Sequence, residues 1–274
     1  MSAAVYEFTP QGLQVLSLPS PPGIATLVAD SWRVREGTVV GLERHLQRFT
    51  TSVLQNTTLA RVQVAQYVDA VLERLPIEGE WFPRIEAVGS PESAILRYHE
   101  RTAPPASAEV ILARAPDDPR KNPLVKGPDL AALMALREEC ALIGADEAII
   151  VDERDRIIEG AYSSLMVWEA DDNSLTVVAY DSPRLPSVTE GLLAEIARAE
   201  AVVVRERRLS VADLAGAEVW VVSALHGIRL ATSFVSGPPL RTSNPRATAW
   251  QEKWQALAQS IRHVNPGESP HFTA

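Results

Sequence analysis

Hydrophobic and polar residues follow two different periods in the first part of the chain. Over the first forty positions they alternate, as in residues 13–16, and this period of two is typical of short strands. From position 42 the apolar residues Leu42, Leu46 and Phe49 recur at helical spacing, which predicts a helix. We therefore predict a small α+β domain over residues 1–114. Its other predicted elements are a helix over 59–75 and strands over 26–34, 81–88, 94–99 and 109–114.

A polar, proline-bearing segment then interrupts the hydrophobic pattern. It covers residues 115–122, and we predict that it links two domains. Beyond it, the pattern predicts a larger, β-rich domain over residues 123–264 and a loose tail over 265–274. The predicted helices of this domain cover 130–144, 189–199 and 247–262. Its predicted strands cover 147–151, 157–159, 165–168, 175–178, 202–205 and 219–223.

The composition is that of an ordinary globular protein and excludes several classes. Of the 274 residues, 46% are hydrophobic and 22% are charged, and the formal net charge of -9 argues against a nucleic-acid-binding surface. No apolar run approaches the roughly 18 residues that a membrane span needs. The first residues lack the basic and apolar regions of a signal peptide, so we expect a cytoplasmic protein. The single cysteine, Cys140, excludes an internal disulfide and a cysteine-based metal cluster, and we predict no metal site.

Three features in the second half of the chain carry candidate chemistry. Lys126 precedes an apolar helix and offers an amine that can form a Schiff base. Glu159 ends an apolar strand and offers a carboxylate for a heterocyclic nitrogen, while Val188 and Thr189 open a helix whose amides can bind a phosphate. Each feature also has an ordinary structural explanation, as a surface lysine, an exposed strand-end acid or a helix cap. Together they match the imine, ring nitrogen and phosphate of pyridoxal phosphate (PLP).

The order of these motifs resembles that of the class IV aminotransferases, the fold-type-IV PLP enzymes. This family includes D-amino-acid and branched-chain aminotransferases and aminodeoxychorismate lyase, and the resemblance runs from Asp30 to Leu230. Residues 45–49 match the family pattern His-x-x-Arg-Leu, and residues 159–164 match Glu-Gly-x-x-Ser-Asn. The other matching pieces are 30–37, Lys126, 144–148, 185–189 and 223–228.

The resemblance implies a fold and a set of cofactor ligands. The fold would be α+β, with a small α/β N-terminal domain, a larger β-rich C-terminal domain and a homodimeric assembly. Lys126 would hold PLP as a Schiff base and act as the catalytic residue that moves a proton between substrate and cofactor. Glu159 would bind the ring nitrogen, and Arg48 the phosphate. Further cofactor contacts would come from Ser163, Ser164, Val188, Thr189, Ser223 and Ala224.

Several positions depart from the family pattern, mainly where substrate would be recognised. Ala29 replaces an aromatic residue, and Val88 replaces the arginine of a Thr-Arg-Gly triplet. Closer to the cofactor, Ser164 replaces an asparagine, Ser187 a glycine and Glu190 an arginine. The candidates for binding a substrate carboxylate are Arg33, Arg97, His99 and His226.

These observations favour one function and leave two alternatives. The favoured function is a PLP-dependent aminotransferase that transfers an amino group between an amino acid and a 2-oxo acid. A 4-amino-4-deoxychorismate lyase, which releases 4-aminobenzoate and pyruvate, would use the same electron sink, and residues 223–228 resemble this enzyme somewhat more. The second alternative is a PLP-binding protein with little turnover.

Overall fold

The computed structural model describes residues 4–16, 23–169, 174–243 and 245–263, so the predicted tail over 265–274 lies outside the described residues. The helices are α1 (Leu42–Asn56), α2 (Arg61–Arg74), α3 (Leu130–Ala141), α4 (Val188–Ala199) and α5 (Ala247–Gln255). The strands are β1 (Ala4–Thr9), β2 (Gly12–Val15), β3 (Thr26–Ser31), β4 (Val34–Arg35), β5 (Thr38–Val40), β6 (Glu80–Trp81), β7 (Arg84–Val88), β8 (Ile95–Glu100), β9 (Glu109–Arg114), β10 (Glu147–Val151), β11 (Ile157–Gly160), β12 (Ser164–Trp168), β13 (Ser174–Val178), β14 (Val203–Arg207), β15 (Glu218–Ser223), β16 (Gly227–Phe234) and β17 (Ala258–Ser260). None of the described helices combines the length and apolar character that crossing a membrane requires.

The chain folds into two compact units. The first contains the described residues up to Pro104 together with those from Leu257 onward, and the second contains residues 105–256. The α+β class, with a larger β-rich unit, is confirmed. The boundary between the units, however, differs from the prediction.

The second unit begins earlier in the chain than the hydrophobic pattern indicated. Strand β9, which we assigned to the first domain, pairs with β10 and β16 in the sheet of the second unit. Its residues Val110, Leu112 and Ala113 are buried, because a strand inside a sheet is covered on both faces. The predicted linker over 115–122 also belongs to this unit, and the Arg120 side chain in it is only 4% exposed.

The C-terminal segment also differs from its prediction as one helix over 247–262. Helix α5 ends at Gln255, and strand β17 follows and pairs with β5 in the first unit. The apolar stripe is therefore divided: Trp250 and Trp254 are buried in one unit, and Ile261 in the other. Helical spacing alone did not reveal this change of direction, because β17 is only three residues long, and Leu257 and Ile261 on either side of it still fall at helical intervals from Trp254.

The first unit contains a five-stranded antiparallel sheet with the order β2-β1-β8-β7-β3. Helix α1 packs against β3 and α2, and its buried residues include the predicted Leu42, Leu46 and Phe49. A smaller sheet in the described part of the chain has the order β17-β5-β4-β6. The candidate residues of this unit lie on α1, on β8 and just before β4.

The second unit is organised around a mixed sheet with the order β11-β10-β9-β16-β15-β12-β13-β14. Helix α3 packs against β10, α4 against β14 and β15, and α5 against β16. Strand β16 was not predicted, although it lies in the middle of the sheet between β9 and β15, because Arg229 and Ser233 interrupt its apolar pattern. The candidate residues of this unit lie on β11, β12 and β15, at the start of α4, and in the loop before α3.

Candidate functional site

Glu159 provides a buried carboxylate near the end of β11. The residue is 7% exposed. Its Oε1 accepts a hydrogen bond from Arg120 Nη1, and its Oε2 accepts one from the Leu185 amide at 3.3 Å. Burial raises the pKa of Glu159 to about 7, against the opposing effects of Arg120, the Leu185 amide and the charge of Arg184. The explanation of Glu159 as an exposed strand-end acid is therefore wrong.

Arg120 is the charged partner of Glu159 and belongs to the segment 115–129, which we call the lysine loop. Its Nε and Nη2 donate hydrogen bonds to the two oxygens of Asp118 at 2.8 and 2.7 Å, and Nη1 also donates to the Pro183 carbonyl at 3.1 Å. Burial would lower the pKa of Arg120, but Asp118 and Glu159 outweigh this effect and raise it. A permanently charged guanidinium thus joins the lysine loop to β11 and to the segment before α4.

Lys126 lies half-buried in the lysine loop, just before α3. Asp129, which is 8% exposed, holds this loop: its carboxylate accepts hydrogen bonds from the amides of Lys121 at 3.1 Å and Asn122 at 2.7 Å. After the lysine, the Leu130 amide donates to the Gly127 carbonyl at 3.1 Å. The backbone is therefore fixed on both sides of Lys126.

Val188 and Thr189 begin α4 and are buried, as befits residues at the start of a packed helix. Ser187 is the N-cap, and its hydroxyl accepts a hydrogen bond from the Glu190 amide at 3.2 Å. The first amides of a helix have no intrahelical partner, and together with the helix dipole they favour a bound anion. Since the Leu185 amide just before this cap bonds the β11 carboxylate, the start of α4 and that carboxylate are neighbours.

Glu190, which replaces an arginine of the family pattern, is a paired and buried charge. Arg184 binds it with Nη1 and Nη2 at 3.0 and 2.9 Å, and the Tyr180 hydroxyl donates to the same carboxylate at 2.5 Å. Arg184 and Glu190 are only 1% and 2% exposed, and Arg184 also donates to the Val178 carbonyl at 2.7 Å. The pair neutralises a carboxylate in the first turn of α4 that would otherwise repel an anion there.

Ser163 and Ser164 connect β11 to β12 and are both buried. Ser164 pairs with Val222 of β15, and Ser163 forms a backbone bridge with Gly160. Among the described residues, the Ser163 hydroxyl has no hydrogen-bond partner. Because a buried hydroxyl without a partner is unfavourable, this atom is suited to bind a ligand group.

The loop after β15 carries three predicted residues, Ser223, Ala224 and His226, all half-buried. The Ser223 hydroxyl accepts a hydrogen bond from the His226 amide at 3.4 Å. His226 Nδ1 accepts one from the Ser107 amide at 3.2 Å, so the neutral ring carries its proton on Nε2. The imidazole therefore has a fixed tautomer and joins this loop to the segment before β9.

Helix α5 holds the same loop through Gln251. Its amide nitrogen donates to the His226 carbonyl at 3.0 Å, and its oxygen accepts from the Ile228 amide at 2.7 Å. Gly227 between them has φ of 69°, and a Cβ there would lie 2.7 Å from Gln251 Nε2 and 2.8 Å from the Trp254 ring. The loop conformation therefore requires glycine at position 227.

In the first unit, Arg48 is held by the fully buried Asp30. Arg48 Nε and Nη2 donate to the two Asp30 oxygens at 2.8 and 2.9 Å, and His45 Nδ1 lies 2.9 Å from Oδ1. Burial tends to raise the pKa of Asp30, but Arg48 and His45 hold it well below its usual range. Two matching segments of the sequence thus form one cluster, and the predicted phosphate ligand has a fixed orientation.

The predicted substrate ligands of the first unit fall into two groups. Arg97 and His99 lie on one face of β8, where His99 Nε2 is 2.7 Å from Glu86 Oε1 and Arg97 is the cross-strand neighbour of Glu86. Burial tends to raise the pKa of Glu86, but the hydrogen bond from His99 and the nearby arginine charges lower it. Arg33 instead forms an ion pair with Glu80.

Sequence reasoning missed the residues that support these ligands. They are Asp118, Arg120, Asp129, Arg184 and Gln251. One signal was available: an acid in an apolar strand needs a counter-ion, because an unpaired buried charge is strongly destabilising. That signal predicts an arginine but not its position, which depends on the path of the loops.

The fold is similar to those of several solved aminotransferases. A hypothetical aminotransferase from Mycobacterium tuberculosis in its PLP-bound form is 20% identical, with a TM-score of 0.73 and coverage of 93% of this chain and 98% of that chain. The T.th. branched-chain amino acid aminotransferase complexed with N-(5'-phosphopyridoxyl)-L-glutamate is 15% identical, with a TM-score of 0.74 and coverage of 94% and 98%. A fold IV-transaminase from Curtobacterium pusillum is 18% identical, with a TM-score of 0.72 and coverage of 93% and 97%.

The sequence itself identifies the family. No curated protein sequence matches the chain. Residues 27–234 match the family described as amino-transferase class IV, and this range contains every predicted cofactor ligand. The match covers most of the chain, and the resemblance seen in the motifs is confirmed. The chain belongs to the class IV aminotransferase family.

Proposed function

We propose that this chain is a PLP-dependent aminotransferase that moves an amino group from an amino acid to a 2-oxo acid. The observation that carries the proposal is the setting of Glu159, a buried carboxylate held between the lysine loop and the start of α4. Family membership supports it. The similar structures also support it. The M. tuberculosis protein was solved in a PLP-bound form and in a form with alpha-ketoglutarate and pyridoxamine 5'-phosphate (PMP) bound.

The residues of the second unit fit PLP at three points. Glu159 uses one oxygen for Arg120 and makes a single long bond with the other, so it retains capacity to accept an N–H. The amides of Val188 and Thr189 open a helix and suit a phosphate. The Ser163 hydroxyl, without a partner in the described part of the chain, can bond a polar group of the cofactor.

When bound, PLP supplies an electron sink for the charge that develops on the substrate's α-carbon. Lys126 would hold the cofactor through Nζ and would accept and return a proton at that atom. The ionised Glu159 would keep the ring nitrogen protonated. Arg48 would add a cation for the phosphate, in the fixed orientation that Asp30 imposes.

The substrates proposed here are amino and oxo acids, whose carboxylates need cationic or N–H partners. We assign this role to Arg97 and His99, which share one face of β8. Arg33 and His226 are further candidates. We also propose a homodimer, which light scattering coupled to size-exclusion chromatography would test.

Reduction of the PLP-loaded protein with borohydride, followed by peptide mass mapping, tests the cofactor assignment. The chain contains only three lysines, Lys121, Lys126 and Lys253, so the map is unambiguous. We expect the adduct on Lys126, its loss in Lys126→Ala, and its retention in Lys121→Ala. Lys121 is a matched control because it is an exposed lysine of the same loop. An adduct on Lys121 or Lys253, or a colourless protein, would contradict the proposal.

An amino-donor screen against pyruvate and 2-oxoglutarate, run beside an assay for 4-aminobenzoate, tests the reaction. Formation of PMP with release of an oxo acid supports the aminotransferase. Formation of 4-aminobenzoate and pyruvate would instead show a lyase. Neither product from a protein labelled on Lys126 would show a PLP-binding protein with little turnover.

A further inference from the structure

Arg120 contacts three parts of the candidate site at once. Its backbone lies in the lysine loop, and its Nη1 donates to both the Glu159 carboxylate on β11 and the Pro183 carbonyl before α4. The opposite edge of the guanidinium is fixed by the two bonds to Asp118. The Arg120 side chain is only 4% exposed, so it is a buried component of the candidate site and does not lie on the surface.

The charges around Glu159 assign a specific task to this arginine. Two cations that act on Glu159 are Arg120 from the lysine loop and Arg184 from the segment before α4. Arg184 is occupied by its bidentate pair with Glu190, whereas Arg120 touches Glu159 directly. Burial already outweighs these cations; without Arg120 it would be opposed still less, and the carboxyl group would hold its proton to a higher pH.

The charge of Glu159 matters because a protonated ring nitrogen needs an anion beside it. A neutral carboxyl group would stabilise that positive charge only weakly and would thereby weaken the electron sink. Orientation matters as well. Arg120 binds one oxygen and leaves the other directed to the Leu185 amide, with acceptor capacity remaining.

We propose that Arg120 is a positioning residue that favours the ionised form of Glu159, orients its carboxylate, and connects it to the lysine loop and to the segment before α4. This inference rests on the proposed function, since Glu159 acts on the cofactor only if the ring nitrogen binds there. Asp118 takes part as the counter-ion that partly offsets the Arg120 charge.

Titration of Glu159 in the protein without cofactor tests the inference directly. Glutamate labelled with carbon-13 at the side-chain carboxyl gives a resonance that follows ionisation, and the Glu159→Gln variant assigns it. We expect Arg120→Gln to raise the Glu159 midpoint by about 1 to 3 pH units. Arg120→Lys keeps the positive charge but cannot make the bidentate hydrogen bonds of a guanidinium. Its Glu159 midpoint should therefore lie between those of wild type and Arg120→Gln.

Asp118→Asn gives a prediction of opposite sign and does not depend on how well Arg120→Gln folds. It leaves the Arg120 charge uncompensated, so the Glu159 midpoint should fall. Arg156→Gln is the matched control, because Arg156 forms a similar but half-buried pair with Asp152 in the same unit. It should leave the midpoint unchanged.

An unchanged midpoint in Arg120→Gln, or a rise in Asp118→Asn as large as that in Arg120→Gln, would overturn the inference. The second pattern would show that both residues act only by keeping the loop folded. Failure of the proposed function is a separate result, seen as the absence of an adduct on Lys126. The titration needs no cofactor and is read independently of that outcome.

Discussion

Replacing Glu159 with glutamine should change how the stability of the protein depends on pH. The carboxyl group has an ordinary pKa of 4.5, and burial raises it to about 7 in the folded chain. Between these values the folded state binds more protons than the unfolded state. The stabilisation from Glu159 is therefore complete below the unfolded pKa and is lost as pH rises through the folded pKa.

The size of this loss follows from the width of the window. A difference of one proton over one pH unit corresponds to about 1.4 kcal/mol. From the ordinary pKa of 4.5 to about 7, wild-type stability should therefore fall by about 3 kcal/mol because of this one group. Glutamine does not titrate, so Glu159→Gln should lack this component.

The assay is denaturant unfolding of the protein without cofactor, for wild type and Glu159→Gln, at several values between about pH 5 and pH 8. The variant lacks the ion pair with Arg120, but this pair forms only when Glu159 is ionised, and its effect is already contained in the pKa of about 7. Other differences between glutamine and the protonated carboxyl group give an offset that is nearly independent of pH. The readout is therefore how the difference in unfolding free energy between the variant and wild type changes with pH. We expect the variant to gain about 3 kcal/mol relative to wild type across this range.

The control is Glu153→Gln, which removes an exposed carboxylate from the turn between β10 and β11. Its difference from wild type should be flat with pH. The reasoning would be refuted if the unfolding free energy of Glu159→Gln, relative to wild type, did not change with pH or fell as the pH rose. That result would mean that Glu159 is solvated or that Arg120 dominates its ionisation.

Two further substitutions test the supports of the site by equilibrium unfolding. Arg184→Met should destabilise the protein by about 3 to 5 kcal/mol, because it leaves the Glu190 carboxylate buried without its cation, and a second change, Glu190→Leu, should recover much of this loss. Gly227→Ala should cost about 1 to 2 kcal/mol from its left-handed backbone alone, and more because the new Cβ would press on Gln251. Gly144→Ala is the matched control for backbone strain, since Gly144 has φ of 83° but no atom within 4 Å of an added Cβ.

A different result would contradict each of these two predictions. If Arg184→Met alone is as stable as the double variant, leaving Glu190 without its cation carries no penalty, which would contradict the prediction. If Gly227→Ala and Gly144→Ala lose the same stability, the contact with Gln251 is unimportant and only backbone conformation matters at position 227.

The sequence was sufficient to predict most local elements of the fold. The spacing of Leu42, Leu46 and Phe49 matches the buried face of α1, and the apolar runs of the second half match β10 to β13. Pairing between distant segments was harder to predict. Strand β9 was recognised as a strand, but nothing local shows that it pairs with β10 and β16, because a buried strand has the same pattern in either unit.

The candidate site shows the same division between local and distant information. Glu159 and the turn before Thr189 were predicted because residue type and local element are enough to suggest their chemistry. Arg120 was placed in a linker, because a polar segment with prolines is also typical of a connection between domains. Its role depends on the return of the lysine loop to β11, which no periodicity encodes.

The buried acids of the second unit suggest a physical reason for one departure from the family pattern. Glu159 and Glu190 are each paired with a buried arginine, Arg120 and Arg184, that comes from an irregular segment. Burying either acid alone would be strongly destabilising, so each acid and its arginine must be considered as one unit. Glu190 in place of an arginine therefore puts no uncompensated negative charge at the start of α4. Arg184, six positions earlier in the chain, balances it, and the net charge of the pair near the helix N-terminus is close to neutral.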